Sequence, residues 1–458
     1  MKVKKAISAF VVGILALTMT PITSMAQNFQ NQSDVQWVAL PLHDGQVRPA
    51  SGESTWLYQL GEEASIDVMP LMHGEAMAGV AISYDVAGDC MPHGKLTQQV
   101  VTGQDCHARI MIGTLREPGF RDVRMQCTLE GRTYVNHIKV GFGAEQLQPY
   151  TQEPADFDQY WANVLEEQRN SVPLRVEVTP APEFTTDKVE CQKVKIYCYR
   201  GNSTYIYGYL TKPRGEGKFA VLVSPPGAGV KPMDPLKTMF YVEKGGIIRL
   251  DLEIHGIDPA LSRDIYNDVT RAFGDHHANG YLSNGLQSPD TYYMRKVYAA
   301  LVRAVDYLVT LPEWDGRNIL IQGNSQGAAL SLVLAGLDHR ITAVACAHPA
   351  LSDMAAYAAD GRTGGYPHFG NLYKDVTLTP EVIRTLSYYD VVNFARRVTC
   401  PVYMTWGFND NTCPPTTSWT VWNVLRCPKE KYVTPINEHW ISTETRYRQM
   451  EFLLKHLQ

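Results

Sequence analysis

Beyond its N-terminal leader the sequence has no apolar run approaching the ~20 residues of a membrane-spanning helix, which excludes a helical membrane span in the body of the chain. No Lys/Arg cluster stands out against a formal charge of −5, or −8 once the three lysines of the leader are gone, so nothing marks a nucleic-acid or other polyanion-binding protein. No Cys-x-x-Cys pair exists. The nine cysteines are an odd count, scattered from Cys90 to Cys427, and thiolate metal sites and thioredoxin-type redox couples lack support. Export would permit disulfides, and Cys90 with Cys106 would close a short loop. Scattered cysteines of this kind read first as buried free thiols.

The leader itself is well formed. Met1-Lys-Val-Lys-Lys5 is a basic start, Ala6 to Met19 is apolar, and Ser24-Met25-Ala26 reads as a cleavage site. Residues 1–26 are therefore expected to be a signal peptide, no lipid-accepting cysteine follows it, and the product is periplasmic or extracellular. The mature chain is too long for one ordinary core, so two domains are expected. From 27 to 150 short alternating segments such as Val80–Tyr84, His107–Ile112 and Tyr134–Val140 are separated by Gly, Asp, Asn and Pro, which predicts a small all-β sandwich. Its histidines, His73, His93, His107 and His137, have no metal-like spacing. After a polar linker, residues 151–458 open with a helical face at Phe157, Tyr160, Trp161, Val164 and Leu165, then alternate buried strands with helices. That order predicts a mainly parallel sheet flanked by helices.

The second domain is organised around Ile319-Leu-Ile-Gln-Gly-Asn-Ser-Gln-Gly327, an apolar strand that stops at Gly323 before a Leu/Ala/Val helix begins. Gly323-Asn324-Ser325-Gln326-Gly327 is G-x-S-x-G, in which the serine sits on a sharp strand-to-helix turn. That turn presents the hydroxyl as a nucleophile and aims the Gln326 N–H, at a helix N-terminus, at a developing oxyanion. The loop Pro225-Pro-Gly-Ala-Gly229 follows an earlier buried strand, so Gly227 and Ala228 are candidates for the second donor. A serine needs a base, and the base needs a carboxylate. Asp410 follows the strand Val402–Trp406 on a short turn held by Pro414 and Pro415, and His439 follows the next strand. The order Ser325, Asp410, His439 is that of α/β-hydrolases. His255 precedes the serine and reads as structural. Asp353 and Asp390 compete with Asp410 for the acid's place, Asp390 looking more like a helix N-cap. Between 258 and 291 the chain has little periodicity and reads as a functional surface loop. Tyr281 and Tyr292, and Pro414 from the acid loop, are candidate substrate contacts.

These residues resemble the acetyl xylan esterase and cephalosporin C deacetylase family, carbohydrate esterase family 7, from about residue 157 to the C-terminus. The likeness is densest in Tyr292-Tyr-Met-Arg-Lys-Val-Tyr298, Arg303-Ala-Val-Asp306, the G-x-S-x-G, Thr385-Leu-Ser-Tyr-Tyr-Asp-Val-Val392 and Gly407-Phe-Asn-Asp-Asn-Thr-Cys-Pro-Pro415. The resemblance implies an α/β-hydrolase fold and a cofactor- and metal-independent serine esterase that removes acetyl or another small acyl group from acetylated carbohydrate. It makes Ser325 the nucleophile, His439 the base and Asp410 the acid. Family members form rings, so a homo-oligomer is implied, which an added β domain would alter. Three departures bear on substrate: the family's Arg-Gly-Gln is His255-Gly256-Ile257, its oxyanion-loop Tyr is Gly or Ala, and its Gly-His-Glu is Asn437-Glu438-His439-Trp440.

Two other classes are weighed against this. A prolyl oligopeptidase-type peptidase also appends β structure, but about 110 residues are too few for its propeller. A carbohydrate-binding protein with a silent hydrolase domain should have lost a triad member, and none is lost. Because the whole triad follows the linker, the sequence predicts that a chain starting near Gln152 remains folded and active on small aryl acetates.

Overall fold

The computed structural model describes residues 34–43, 46–47, 53–199, 203–273, 280–372 and 374–458. The expected leader at 1–26 lies outside the described residues. By contacts the chain forms two compact units. The first takes the chain up to Leu147 together with Gly407–Asn411 and Val433–His439; the second holds Gln148–Trp406, Thr412–Tyr432 and Trp440–Gln458. The sequence predicts that everything after residue 150 belongs to the hydrolase domain. Two short loops depart from that division, because their partners lie on N-terminal strands that are remote in sequence.

The first unit has two five-stranded sheets. In one, β1 (Val35–His43) and β2 (Ala64–Met72) pair antiparallel, and β2 also pairs with a later strand of that sheet. In the other, β3 (Ala81–Gly88) pairs with a long strand of the hairpin described next. The strand on β2 is β4 (Ala108–Gly113), which buries Ala108, Ile110 and Ile112 and exposes Arg109 and Met111, the period-two pattern of a half-buried strand. The hairpin joins β5 (Gly119–Leu129) to β6 (Arg132–Phe142) through Glu130 and Gly131, both at positive φ (51° and 76°), the geometry of a two-residue turn that follows strand twist. Alternation breaks down in the second half of β6: Ile138 to Phe142 are buried on both faces.

The second unit carries α1 (Phe157–Ser171), which buries Phe157, Trp161, Val164 and Leu165 as the sequence pattern requires. Its sheet is nine-stranded, made of β7 (Val176–Pro180), β8 (Val189–Tyr197), β9 (Tyr205–Pro213), β10 (Phe219–Ser224), β11 (Ile248–Glu253), β12 (Trp314–Asn324), β13 (Ala343–Ala347), β14 (Val402–Gly407) and β15 (Lys429–Thr434). The spatial order is β7-β8-β9-β11-β10-β12-β13-β14-β15. The pairs β7/β8, β8/β9 and β9/β11 are antiparallel, and those from β11 through β10, β12 and β13 to β14 are parallel. The helices α2 (Met294–Leu308) and α3 (Gln326–Leu337) are enclosed on nearly every side. The fold is an α/β-hydrolase fold preceded by β structure, and the strand ends that carry chemistry are those of β10, β12, β14 and β15.

Candidate active site

The apolar run of β12 ends at Asn324, α3 begins at Gln326, and Ser325 between them has φ 58° and ψ −124°. A non-glycine residue held in that region stores strain, of the order of 1–3 kcal/mol, that its surroundings must impose. The surroundings here are tight. A Cβ on Gly323 would lie 2.2 Å from the Gly327 carbonyl oxygen, and one on Gly327 would lie 2.5 Å from the Pro225 carbonyl oxygen. Both glycines of the motif are thus required by backbone packing, the second by the loop after β10. The Ser325 N–H donates to the Ala347 carbonyl at 2.9 Å, and its carbonyl accepts from Ala350 N–H at 3.2 Å, which ties the elbow to the end of β13.

The loop 225–229 lies against this elbow. Gly227 and Ala228 are half-buried, and a Cβ on Gly227 would be 3.9 Å from the Asn324 carbonyl oxygen. Gln326 opens α3, where first-turn N–H groups have no acceptor within the helix. Its buried side chain accepts from the Tyr281 hydroxyl at 2.6 Å, and that hydroxyl accepts from the Gly229 N–H at 3.3 Å. Tyr281 therefore joins the two loops that the sequence nominates for oxyanion donors. It is fully buried, Tyr292 is buried with its hydroxyl on the Leu282 carbonyl, and Pro414 is buried at the start of α4 (Pro415–Val424). All three expected substrate contacts are buried, while Asn284, Gln287, Asp290 and Thr291 of the same stretch are exposed.

Asp410 and His439 meet in the first unit. The imidazole Nδ1 is 2.8 Å from Asp410 Oδ2; the carboxylate is fully enclosed and the imidazole side chain 27% exposed. A carboxylate on Nδ1 fixes the tautomer that leaves Nε2 available as a base. The rival carboxylates are engaged elsewhere. Asp390 caps Val391–Ala395 through Val392 N–H at 3.1 Å, and also accepts from Asp353 and Met354 N–H, both at 2.8 Å, and from the Thr151 hydroxyl. Asp353 accepts from the N–H groups of Tyr150 and Thr151. Burial raises Asp353, and burial together with the neighbouring Asp353 charge pushes Asp390 up to about 7.

His255 is half-buried, with Nδ1 2.8 Å from the Tyr293 hydroxyl, and desolvation of the ring holds its pKa down at about 3, so it stays neutral. Its loop is gathered by Glu253, which accepts from the N–H groups of His255, Gly256 and Ile257 and is pushed by burial up to about 7. The substituted His255-Gly256-Ile257 segment is thus an internal brace. Sequence reasoning missed Asn409 and Lys139. The Asn409 side chain accepts from the Lys139 N–H on β6 at 2.9 Å and donates to the Ile436 carbonyl at 3.1 Å, so it joins β6, the acid loop and the loop before His439. Its place inside the quoted acid-loop motif was the available signal for Asn409; Lys139 had none.

The strand order, the strained serine between β12 and α3, and an Asp–His pair after β14 and β15 define the α/β-hydrolase class. Within that class the family model for acetyl xylan esterase (AXE1) matches residues 143–456. The chain belongs to this family and is a carboxylic-ester hydrolase. It is 47% identical over 447 residues, 97% of this chain and 95% of the relative, to the acetyl esterase Axe7A of Xylanibacter ruminicola. Crystal structures of acetyl xylan esterases from a Thermoanaerobacterium species and a Paenibacillus species are each 26% identical, with a TM-score of 0.59, covering 69% of this chain and 98% of theirs.

Proposed function

We propose that this protein is an exported esterase that removes acetyl groups from carbohydrate such as acetylated xylan or its oligosaccharides, through an acyl-enzyme on Ser325. The observation that carries the reading is the elbow at Ser325, strained at φ 58° and packed against the 225–229 loop, in a chain that also pairs His439 with a buried Asp410. Ser325 Oγ attacks the ester carbonyl as His439 Nε2 takes its proton, and Asp410 stabilises the imidazolium. The tetrahedral oxyanion is met by the Gln326 N–H and by an N–H of Gly227 or Ala228. Collapse breaks the bond to the sugar oxygen, which takes the proton from His439 and leaves as a hydroxyl; water then repeats the sequence and frees acetate and Ser325. Export is supported by the basic-apolar leader and its small-residue cleavage site. Among the described residues no helix is long and apolar enough to cross a membrane.

The test is acetate release from acetylated xylan, pectin and mannan fragments, with aryl esters and peptides as controls. Wild-type protein should release acetate from at least the xylan fragments and leave peptides intact. Ser325→Ala should keep the fold and lose on the order of 10⁴- to 10⁶-fold in kcat. Near-normal turnover of an aryl acetate by Ser325→Ala would remove that serine from the reaction, and peptide cleavage without acetate release would move the protein to another class of hydrolase.

A further inference from the structure

The N-terminal β unit reaches the acid loop through one residue in particular. Lys139 on β6 is completely buried, and its ammonium donates to Asp89 Oδ1 at 2.7 Å and to the main-chain carbonyl of Asp410 itself at 2.9 Å. Its own N–H donates to the Asn409 side chain at 2.9 Å. Burial alone would lower the Lys139 pKa, but Asp89 and the other anionic groups facing it hold it above the ordinary lysine value, so the cation is permanent. The residue is therefore clamped to two consecutive positions of the loop, Asn409 and Asp410, and Asn409 in turn holds Ile436 of the segment leading to His439. The Phe120 ring of β5 meets the fully buried Phe408 edge-on at 5.0 Å. A lysine with an ordinary structural role would need Asp89 only; a buried ammonium spent on the carbonyl of Asp410 acts where the carboxylate must be aimed.

We propose that Lys139 is a positioning residue for the catalytic acid, and that the N-terminal β unit is by this route part of the esterase's catalytic apparatus. The inference rests on Asp410 and His439 acting as acid and base. An ammonium tethered by Asp89 fixes the main chain at Asp410, Asn409 fixes the spacing between the acid loop and the base loop, and the Asp410 carboxylate is thereby kept on His439 Nδ1. Small displacements matter at such a point, since about 1 Å of misplacement can cost about 10²-fold in rate.

The experiment removes both charges together, so that no ion is stranded: Lys139→Met with Asp89→Asn in the full chain. Expected are a melting temperature within a few degrees of wild type and a kcat on 4-nitrophenyl acetate lower by about 10- to 100-fold, with KM within about 3-fold. A folded double variant with unchanged kcat, or with its loss in KM instead of kcat, overturns the proposal. Should the double variant not fold, Asn409→Ala decides: it leaves the ion pair intact and removes two tethers, and must show the same kcat loss with KM within about 3-fold or the proposal fails. Asp410→Asn run alongside separates the two readings. If it retains full activity the triad assignment itself is wrong; if it is dead while the other variants behave as wild type, only the role of Lys139 falls.

Discussion

Deleting the N-terminal β region, so that the chain starts near Gln152, puts the division of labour between the units to a direct test. The deletion removes Lys139, Asp89 and Phe120 at once, so that ion pair leaves no stranded partner, but it also takes Tyr150 and Thr151, which donate to the buried Asp353 and Asp390 carboxylates. At the acid loop it strands the Asp410 carbonyl, the Asn409 amide and the Phe408 ring, all enclosed in the intact chain. A hydrogen bond from a charged donor is worth about 1.5–3 kcal/mol and a neutral one about 0.5–1.5 kcal/mol. Exposing a phenylalanine ring costs about 1.5–3 kcal/mol. The loop bearing Asp410 thus loses about 3.5–7.5 kcal/mol of hold, comparable with the whole stability of many domains. An imidazole without a positioned carboxylate loses about 10⁴-fold in kcat, so the truncated chain should fall by about 10²- to 10⁴-fold on 4-nitrophenyl acetate, even where circular dichroism and cooperative melting show the sheet of the second unit to be folded. A soluble, cooperatively melting truncation with kcat within about 3-fold of the intact protein would refute this reasoning and restore the self-sufficient hydrolase domain that the sequence predicts.

Asp410→Asn should lower kcat by about 10⁴-fold by stabilising the wrong imidazole tautomer, whereas Asp390→Asn and Asp353→Asn should act on the melting temperature and leave turnover within about 3-fold; a dead Asp390 or Asp353 variant beside an active Asp410→Asn would reverse the assignment. Gly327→Ala forces a methyl to 2.5 Å from the Pro225 carbonyl and should displace the loop carrying Gly227 and Ala228, with a loss of about 10²- to 10³-fold in kcat; unchanged kinetics would take that loop out of oxyanion binding. His137, whose Nδ1 lies 3.1 Å from Asp122 and Nε2 3.8 Å from Glu438, would be lowered by burial alone, but its carboxylate partners raise it to about 9 while Lys139 opposes them. Its folded pKa lies above the unfolded value near 6.5, so its contribution, about 3 kcal/mol at most, is present below that value and is lost as pH rises through about 9. Denaturant melts from pH 6 to 10 should show that loss in wild type and not in His137→Gln; parallel curves would refute the ion pairing.

The elbow was legible because everything it needs is local. Gly323, Ser325 and Gly327 lie within five residues, and a strand stopping before a helix shows in hydrophobic periodicity alone. Asp410 and His439 were legible for a different reason: a parallel sheet delivers chemistry at strand ends, so chain order and the ends of β14 and β15 stand in for distance. The burial of Tyr281 and Tyr292 was not legible, because an aperiodic, polar stretch predicts surface and nothing in it announces that both hydroxyls have internal acceptors on Gln326 and Leu282. Composition registers polarity, whereas burial of a tyrosine depends on whether a partner exists, and the partner is distant in sequence.

Lys139 is the sharpest case of that limit. Strand alternation places Ile138 and Val140 inward, and therefore assigns Lys139 to the solvated face of β6. The assignment fails because the outward face of that half-strand is also covered, by the loop of residues 407–411, 270 positions away in the chain at its Asn409 contact. A charge with no nearby opposite partner in sequence offers nothing to read: Asp89 is 50 residues off and the Asp410 carbonyl 271. Burying a lysine costs several kcal/mol unless it is paired and hydrogen-bonded, so its retention at 0% exposure needs a reason beyond packing, which a hydrophobic residue would supply more cheaply. The carbonyl it meets gives that reason, since an ammonium can fix a main-chain oxygen and a methionine cannot. The first unit thus draws on segments from both sides of a boundary placed at residue 150, and the carboxylate that meets His439 belongs to that unit although it follows the boundary in sequence.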